Sequence, residues 1–475
     1  MPTTISGDNQ ITAPLTVGFG LGNVTSNVAV GLQALNANTT GAYNTGVGYN
    51  ALAANTIGIS NAAFGESALP INTTGTQNTA IGSGSLFVNT TGSFNTAVGQ
   101  ATLNANTASN NTAVGWAALN KNTTGSPNDA LGYQALYNNT TGINNVGIGY
   151  TALANNTIGT QNTALGSRAL YTNTTGGGVT AVGHTALYNN TVSNNTAVGA
   201  YALQNNTTGT NDAFGYQALF NNTTGTNNLA VGYQALVANT TGQNNTAVGN
   251  SALASSTVGT NNTAVGYGAG YPLTTGNNNV LIGQAAGWGG GAKNLTTGIQ
   301  NVLIGQLATA SSSGATNQIV IGYTGIGQGD NYVTIGVGGT NYIYNQFSVN
   351  ATWTKASDER IKQNIVDLDI GLDFVKELKI KSYNWKPSNE IPEDIIGYSE
   401  ENTQNTEATM YGMLAQDVKA AMDKHGYEHF AGWNVREADG LQGVSNEMFV
   451  LPLINAVKEL SAKVEALEAK LAAKA

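Results

Sequence analysis

Residues 228–249 read NLAVGYQALVANTTGQNNTAVG, and this stretch decides the fold. It holds one full unit and the start of the next, in the pattern N-T-A-V-G-x-x-A-L-x-x-N-T-T-G-x-x. Aligned on the glycine that ends the first segment, the pattern runs from Gly31, Gly48 and Gly65 through to Gly266 and Gly283. Steps are 17 residues, except for 16 at Gly99–Gly115, Gly183–Gly199 and Gly199–Gly215. A longer insert, WGGGAKNLTTG, precedes Gly305, and Gly322 and Gly336 complete about eighteen units. A fixed period of this length marks stacked repeats, each packing only on its neighbours.

Helical apolar spacing is absent, and Asn, Thr and Gly are poor helix interiors. The unit predicts two short extended segments separated by two turns. In the first, Val98 points one way and Ala97 the other. The second supplies another apolar pair, such as Ala101 and Leu103. The N-T-T-G segment has turn chemistry, because Asn tolerates left-handed backbone and Gly supplies positive φ. One coil cannot bury a core, whereas a stack can. At ~4.8 Å per layer, eighteen layers make a rod roughly 85 Å long. In-register stacking also lines up Asn side chains into amide ladders.

Composition divides the chain in two. Charged residues are only 9% and Gly numbers 61, whereas ordinary globular domains carry roughly 25% charge. Residues 1–350 hold Lys121, Arg168 and Lys293 against Asp8, Glu66, Asp129, Asp212 and Asp330, leaving 14 of the 17 basic and 21 of the 26 acidic residues to the last 125. So little positive charge leaves no electrostatic footprint for nucleic acid. Without cysteine there is neither a disulfide nor a thiolate metal site. The N-terminal stretch MPTTISGDNQITAPLTVG lacks the apolar core of a signal peptide. No apolar run reaches membrane-spanning length, so no membrane insertion is expected.

Within the repeats an aromatic often follows the alignment glycine: Tyr49, Trp116, Tyr133, Tyr150, Tyr216, Tyr233, Tyr267 and Tyr323. A packing ladder is the first expectation. The sharper one is a glycan-binding strip, with Trp116, Tyr133, Tyr150, Tyr216 and Tyr233 as contacts, because aromatic faces suit sugar rings. The N-x-T triplets are read as turn chemistry rather than glycosylation sites. Asp129, Asp212 and His184 are expected at the surface. The repeats contain no carboxylate pair, catalytic triad or phosphate loop, so no cofactor, metal site or turnover of an external substrate is expected.

From Asn341 the pattern changes. NYIYNQFSVNATWT suggests strands that close the rod, and TKASDERIKQNI (354–365) opens a charged region. Ser357 and Asp358 are good N-cap residues, and Glu359 onward is expected to begin a helix. GLDFVKELKIKSYNWKP predicts a helix with Leu372, Val375 and Leu378 inward, then a strand ending at Trp385. Residues 388–409 read as a loop, and MYGMLAQDVKAAMDKHG as a strand running into a helix. In the tail, Val450, Leu453, Val457, Leu460, Val464, Leu467 and Leu471 alternate 3 and 4 apart, a three-heptad coiled-coil seam for oligomerisation. Val and Leu at alternate seam positions favour two strands by the usual rule, but so short a seam does not set stoichiometry.

These motifs support two resemblances. The N-T-A-V-G-x-x-A-L unit, from Gly31 to about Gly336, resembles the β-roll heads of trimeric adhesins and the repeats of phage tail fibres, although it is longer than the adhesin unit. ASDERIKQNI, GLDFVKELKIKSYNWK, YGMLAQDV and PLINAVKEL together resemble the C-terminal intramolecular chaperone of phage tail spikes, tail fibres and endosialidases, a self-cleaving serine peptidase family. This second resemblance implies a homotrimer and scission at Ala356–Ser357, freeing 119 of the 475 residues. It makes Ser357 the nucleophile and Lys362 its base, with Asp358 as the competing activator. A serine hydroxyl needs such a neighbour, and a lysine acts as a base only where burial lowers its pKa. Gln416 falls on the family's Ala-Gln position and is expected to pack and hydrogen-bond.

The expected fold is therefore mainly β: a trimeric β-solenoid or β-roll rod, then a small α+β chaperone domain ending in a coiled-coil helix. Residues 1–30 form an attachment or cap segment, 31–340 the repeats, 341–356 a β connector and 357–475 the chaperone, with its coiled coil at 450–471. The expected function is a tail fibre or spike in a phage virion, assembled in the host cytoplasm. Its expected partners are other tail or baseplate proteins and a host-surface glycan or protein receptor. The alternatives are a bacterial trimeric adhesin and a polysaccharide-degrading tailspike. The first lacks an evident signal peptide and outer-membrane barrel, and the second lacks a carboxylate-pair site.

Overall fold

The computed structural model describes residues 17–338, 341–346, 354–355, 359, 362–393, 395, 398–402, 406–435 and 440–474. The chain divides into two compact units, Met1–Ala356 and Ser357–Ala475.

In the first unit, nineteen short strands from Val28–Val30 to Tyr332–Val337 pair in parallel, each with the next, around a β-solenoid. Register is uniform, with Ala230 opposite Ala247 and Val231 opposite Val248. It survives the shorter coils, where Ala97 still faces Ala113 and Val98 faces Val114. The missing residue is therefore taken from the turn and not from the strand. Both ends of the ladder switch direction. Val17–Gly18 lies antiparallel to Val28–Val30, while Tyr332–Val337 pairs antiparallel with Asn341–Gln346, which pairs with Thr354–Lys355. A stacked edge is a template for further pairing, and these strands cover it.

Each coil has one strand rather than the two extended segments expected. After the strand Asn228–Val231, the Ala235 N–H donates to Gly232 O, the Val237 N–H to Gln234 O and the Asn239 N–H to Leu236 O. These are successive turns, with positive φ at their third residues Gln234 (53°) and Leu236 (52°), as type II turns require. Ala235 and Leu236 are consecutive and both fully buried. A strand's alternation forbids that, and a pair of turns permits it. Left-handed backbone costs about 1–2 kcal/mol at a non-glycine residue, and burying a leucine returns about 1.5–3 kcal/mol. One coil barely breaks even, so the balance comes from the stack. The Leu236 N–H reaches Ala252 O in the next coil at 3.0 Å, and the Gln234 N–H reaches Tyr216 O in the previous one at 2.9 Å.

The alignment glycines are dictated by both backbone and space. Gly232 has φ 136°, and a Cβ there would sit 2.4 Å from the Gly249 carbonyl oxygen.

Two columns of buried asparagines run through the stack. In the first, the Asn245 N–H and Nδ2 both donate to Asn228 Oδ1 at 3.0 Å, and the same Nδ2 donates to Gly259 O at 2.8 Å. In the second, Asn156 Nδ2 donates to Asn139 Oδ1 (2.8 Å) and to Gly159 O (3.0 Å). The expected amide ladders thus exist, and the asparagines of the N-T-T triplets are turned inward. Two of the short coils redirect the second column. Asn106 and Asn190 donate to Ala108 O and Val192 O within their own turns, so Asn89 Oδ1 and Asn173 Oδ1 lack a partner among the described residues.

Toward the C-terminal end the interior becomes more apolar, although the first amide column continues through Asn279, Asn301 and Gln318. The inner strand residue grows from Ala264 to Leu281, Leu303 and Val320, while the turn leucine gives way to Gly270, Gly287 and Thr309. The two changes conserve volume, since a Cβ at Gly270 would meet Leu281 Cδ1 at 2.7 Å. The second amide column gives way to Ser256, Leu273 and Leu295.

In the second unit, helix α1 (Leu372–Glu377) leads to the strand Ile380–Tyr383, which pairs antiparallel with Met410–Met413. Helix α2 (Ala415–His425) ends on left-handed Gly426, a C-terminal cap that glycine accepts without Cβ strain. A hairpin, Trp433–Val435 with Gln442–Val444, precedes helix α3 (Val450–Ala472). The core is Ile370, Phe374, Val418, Ala421, Met422 and Phe430. Phe374 meets Phe430 edge-on at 5.5 Å and Tyr427 at 5.7 Å, the arrangement that aromatic quadrupoles favour.

Candidate functional site

The expected cleavage residues Ala356 and Ser357, and the activator Asp358, lie outside the described residues. Lys362 is described. It is exposed, and its N–H donates to Glu359 O at 3.0 Å. The helix expected from Glu359 does not continue: residues 362–371 contain no regular element. Of this segment's large apolar residues, Ile365, Val366 and Leu368 are exposed and only Ile370 is buried. A cap whose following apolar side chains stay exposed does not sustain a helix.

The unit behind this junction is only half closed. One side of α3 buries Pro452 and Ala456. Asn455 Nδ2 donates to Leu368 O (2.8 Å), and the Leu372 N–H donates to Glu459 Oε2 (3.3 Å). The other side carries the seam. Val450, Leu453, Val457, Leu460, Val464, Leu467 and Leu471 are each between 45% and 73% exposed. A helix this apolar on an open face is short of a partner in a single chain.

An apolar groove of about 350 Å³ adjoins that seam, lined by Val375, Leu378, Ile380, Met413, Phe449 and Leu453. Leu453 belongs to both. The groove was not foreseen, because its walls come from separate segments whose meeting no local pattern announces. Beside it, the Asp417 carboxylate at the start of α2 pairs with Lys381 (2.9 Å) and Lys379 (3.5 Å). The hydrogen bond from Lys381 holds its pKa below the usual carboxylate range. Gln416, expected to pack, is instead exposed on α2.

In the first unit, Trp116, Tyr133 and Tyr150 stack at 4.9 and 5.2 Å, and Tyr216 stacks on Tyr233 at 5.4 Å. The packing ladder is real, and all five rings remain partly exposed. Both faces of Tyr133 are occupied by its neighbours. A sugar ring on this column would therefore be confined to ring edges or to the end faces of Trp116 and Tyr150. Asp129, Asp212 and His184 are exposed, as expected. Among the described residues no group of three metal-ligating side chains occurs, and no helix is long and apolar enough to cross a membrane.

No curated protein and no solved structure matches the chain. Residues 357–427 match the family described as chaperone of endosialidase. The match begins at the residue where the second compact unit begins. A chaperone domain of this kind behind a long β-solenoid supports a tail-spike- or fibre-like protein with a C-terminal chaperone domain.

Proposed function

We propose that the chain is a homotrimeric tail fibre or spike of a phage virion, built to contact the host surface, whose C-terminal unit aligns three chains and then cuts itself free. The observation that carries this reading is the chaperone match starting at residue 357, where the solenoid-bearing unit ends. Near-identical coils pair almost as well one unit out of register, so a stack of them needs an external alignment signal. Non-local parallel pairing is also slow and exposes edges while it forms. A trimerising unit at one end supplies register, and its removal leaves the folded body without the nucleus for reversal.

In the proposed cut, Ser357 Oγ adds to the Ala356 carbonyl, the amide bond breaks, and water hydrolyses the resulting ester. Lys362 is exposed in a single chain, and a lysine becomes a base where burial lowers its pKa. Assembly is what would bury it, so cutting reports correct folding. Asp358 is the competing activator. Other tail or baseplate proteins would hold the fibre on the virion, and the half-exposed aromatic columns are its candidate glycan contacts.

Intact-mass spectrometry of the wild type beside Ser357→Ala and Lys362→Ala tests the chemistry. Scission before Ser357 in the wild type and none in Ser357→Ala is the expected result. Full-rate cutting by Lys362→Ala would remove Lys362 as the base and leave Asp358.

A further inference from the structure

The outward side of the solenoid strands is the largest feature that the proposed function leaves unused. The strand residue just before each alignment glycine is apolar in all nineteen coil strands, from Val30 and Val47 through Phe64, Ile81 and Leu131 to Ile335. It points away from the core, and ten of these side chains are 37–49% exposed. Two residues earlier, the other outward position is most often Thr, with Asp129 and Asp212 as its two charges. In the last four coils it too turns apolar, giving the pairs Val280/Ile282, Val302/Ile304, Ile319/Ile321 and Val333/Ile335. In the neighbouring interior the second amide column has given way to Leu273 and Leu295.

We infer that this face is where copies of the chain pack against each other along the solenoid, with contact beginning at the doubled apolar columns of residues 280–335. Two observations select a second copy as the occupant. The ladder repeats once per coil across nineteen strands, so a partner that meets it at every step must have the same period, and another copy of this chain has it. The area also fits. With ten of the nineteen side chains about two-fifths exposed and the rest partly so, the columns present on the order of 1,000 Å² of apolar surface per chain, against ~800 Å² per partner in a stable interface and the few hundred Å² that monomers usually leave contiguous. The eight residues of the last four coils include no charge, so the contact forms there without burying one.

This inference rests on the proposed self-association but can fail separately from it. The chain has no cysteine, so single cysteines report cleanly. In the full-length protein, Ile304→Cys and Ile321→Cys are compared with the exposed turn positions Thr107→Cys and Ser312→Cys. The expected result is chain-to-chain cross-linking by oxidation or a short bis-maleimide at 304 and 321, with at least 10-fold slower labelling there by a charged maleimide than at 107 and 312. If native mass spectrometry finds an oligomer whose 304 and 321 cysteines label as fast as the controls and do not cross-link, this face is not the interface, although self-association stands. A protein that stays monomeric would overturn both.

Discussion

The solenoid and the C-terminal unit both use leucines at regular spacing, but only one of them finishes its core alone. Each turn leucine of the coils, such as Leu136 or Leu236, is fully buried by its own chain. Each seam residue of α3 is about half exposed or more. A repeat buries its apolar side against the next repeat, so the chain supplies its own partner. A single amphipathic helix has no such neighbour and needs another chain. The body thus completes its core within one chain but is ambiguous in register, whereas the C-terminal unit leaves its helix uncovered. The proposed function joins the two by letting the incomplete unit set the register of the ambiguous one.

The sharpest way to break this contrast is to charge the seam. Val457→Asp combined with Leu460→Asp should weaken assembly roughly 100-fold or more, because it places carboxylates in a desolvated contact. Light scattering across a dilution series would read this as a shift from oligomer to monomer, with the solenoid's circular dichroism unchanged in folded material.

A smaller effect is expected inside the solenoid. Gly232→Ala forces an L-residue to φ 136° and drives a methyl into the Gly249 carbonyl, a destabilisation of roughly 3 kcal/mol. Because coils contact only their neighbours, amide hydrogen exchange should speed up around residues 215–266 and not in distant coils. Asn145→Ala should cost less, about 2 kcal/mol, by leaving the Asn162 N–H without its acceptor and the Gly159 carbonyl with only its Asn156 donor. The natural Val179 already interrupts that column, so the mutant should remain folded with locally faster exchange.

The smallest effect concerns pH. Lys381 holds the folded-state pKa of Asp417 below its usual value of 3.8. This pair therefore stabilises the C-terminal unit above about pH 4 and loses its contribution as pH falls through the lowered pKa. Asp417→Asn should flatten that acid limb in denaturation curves of the full chain and change little at neutral pH.

Much of this contrast was legible in the residues. The 17-residue period gave the stack, the amide ladders and the glycine column. The 3–4 spacing from Val450 gave α3, whose apolar side the structure leaves uncovered. The second extended segment expected in each coil is a pair of turns, because adjacent Ala235 and Leu236 are both buried and strand alternation does not allow that. That adjacency was the available signal for turns. At Glu359 a cap signal is present, but the apolar residues that follow, Ile365, Val366 and Leu368, stay exposed, and local capping does not reveal that. The groove against Leu453 needs three separate segments to meet, which sequence order does not reveal. The outward apolar column was visible as the recurring Val of T-A-V-G, but only the strand's orientation separates it from core.

The central claim is that assembly switches on the cut at Ala356–Ser357. Separating freshly expressed full-length protein by size and weighing the chains in each fraction tests it most directly. The account predicts chains of 356 and 119 residues in the oligomer and intact 475-residue chains in the monomer. Intact chains persisting in the oligomer, or equal cutting in both fractions, would contradict it.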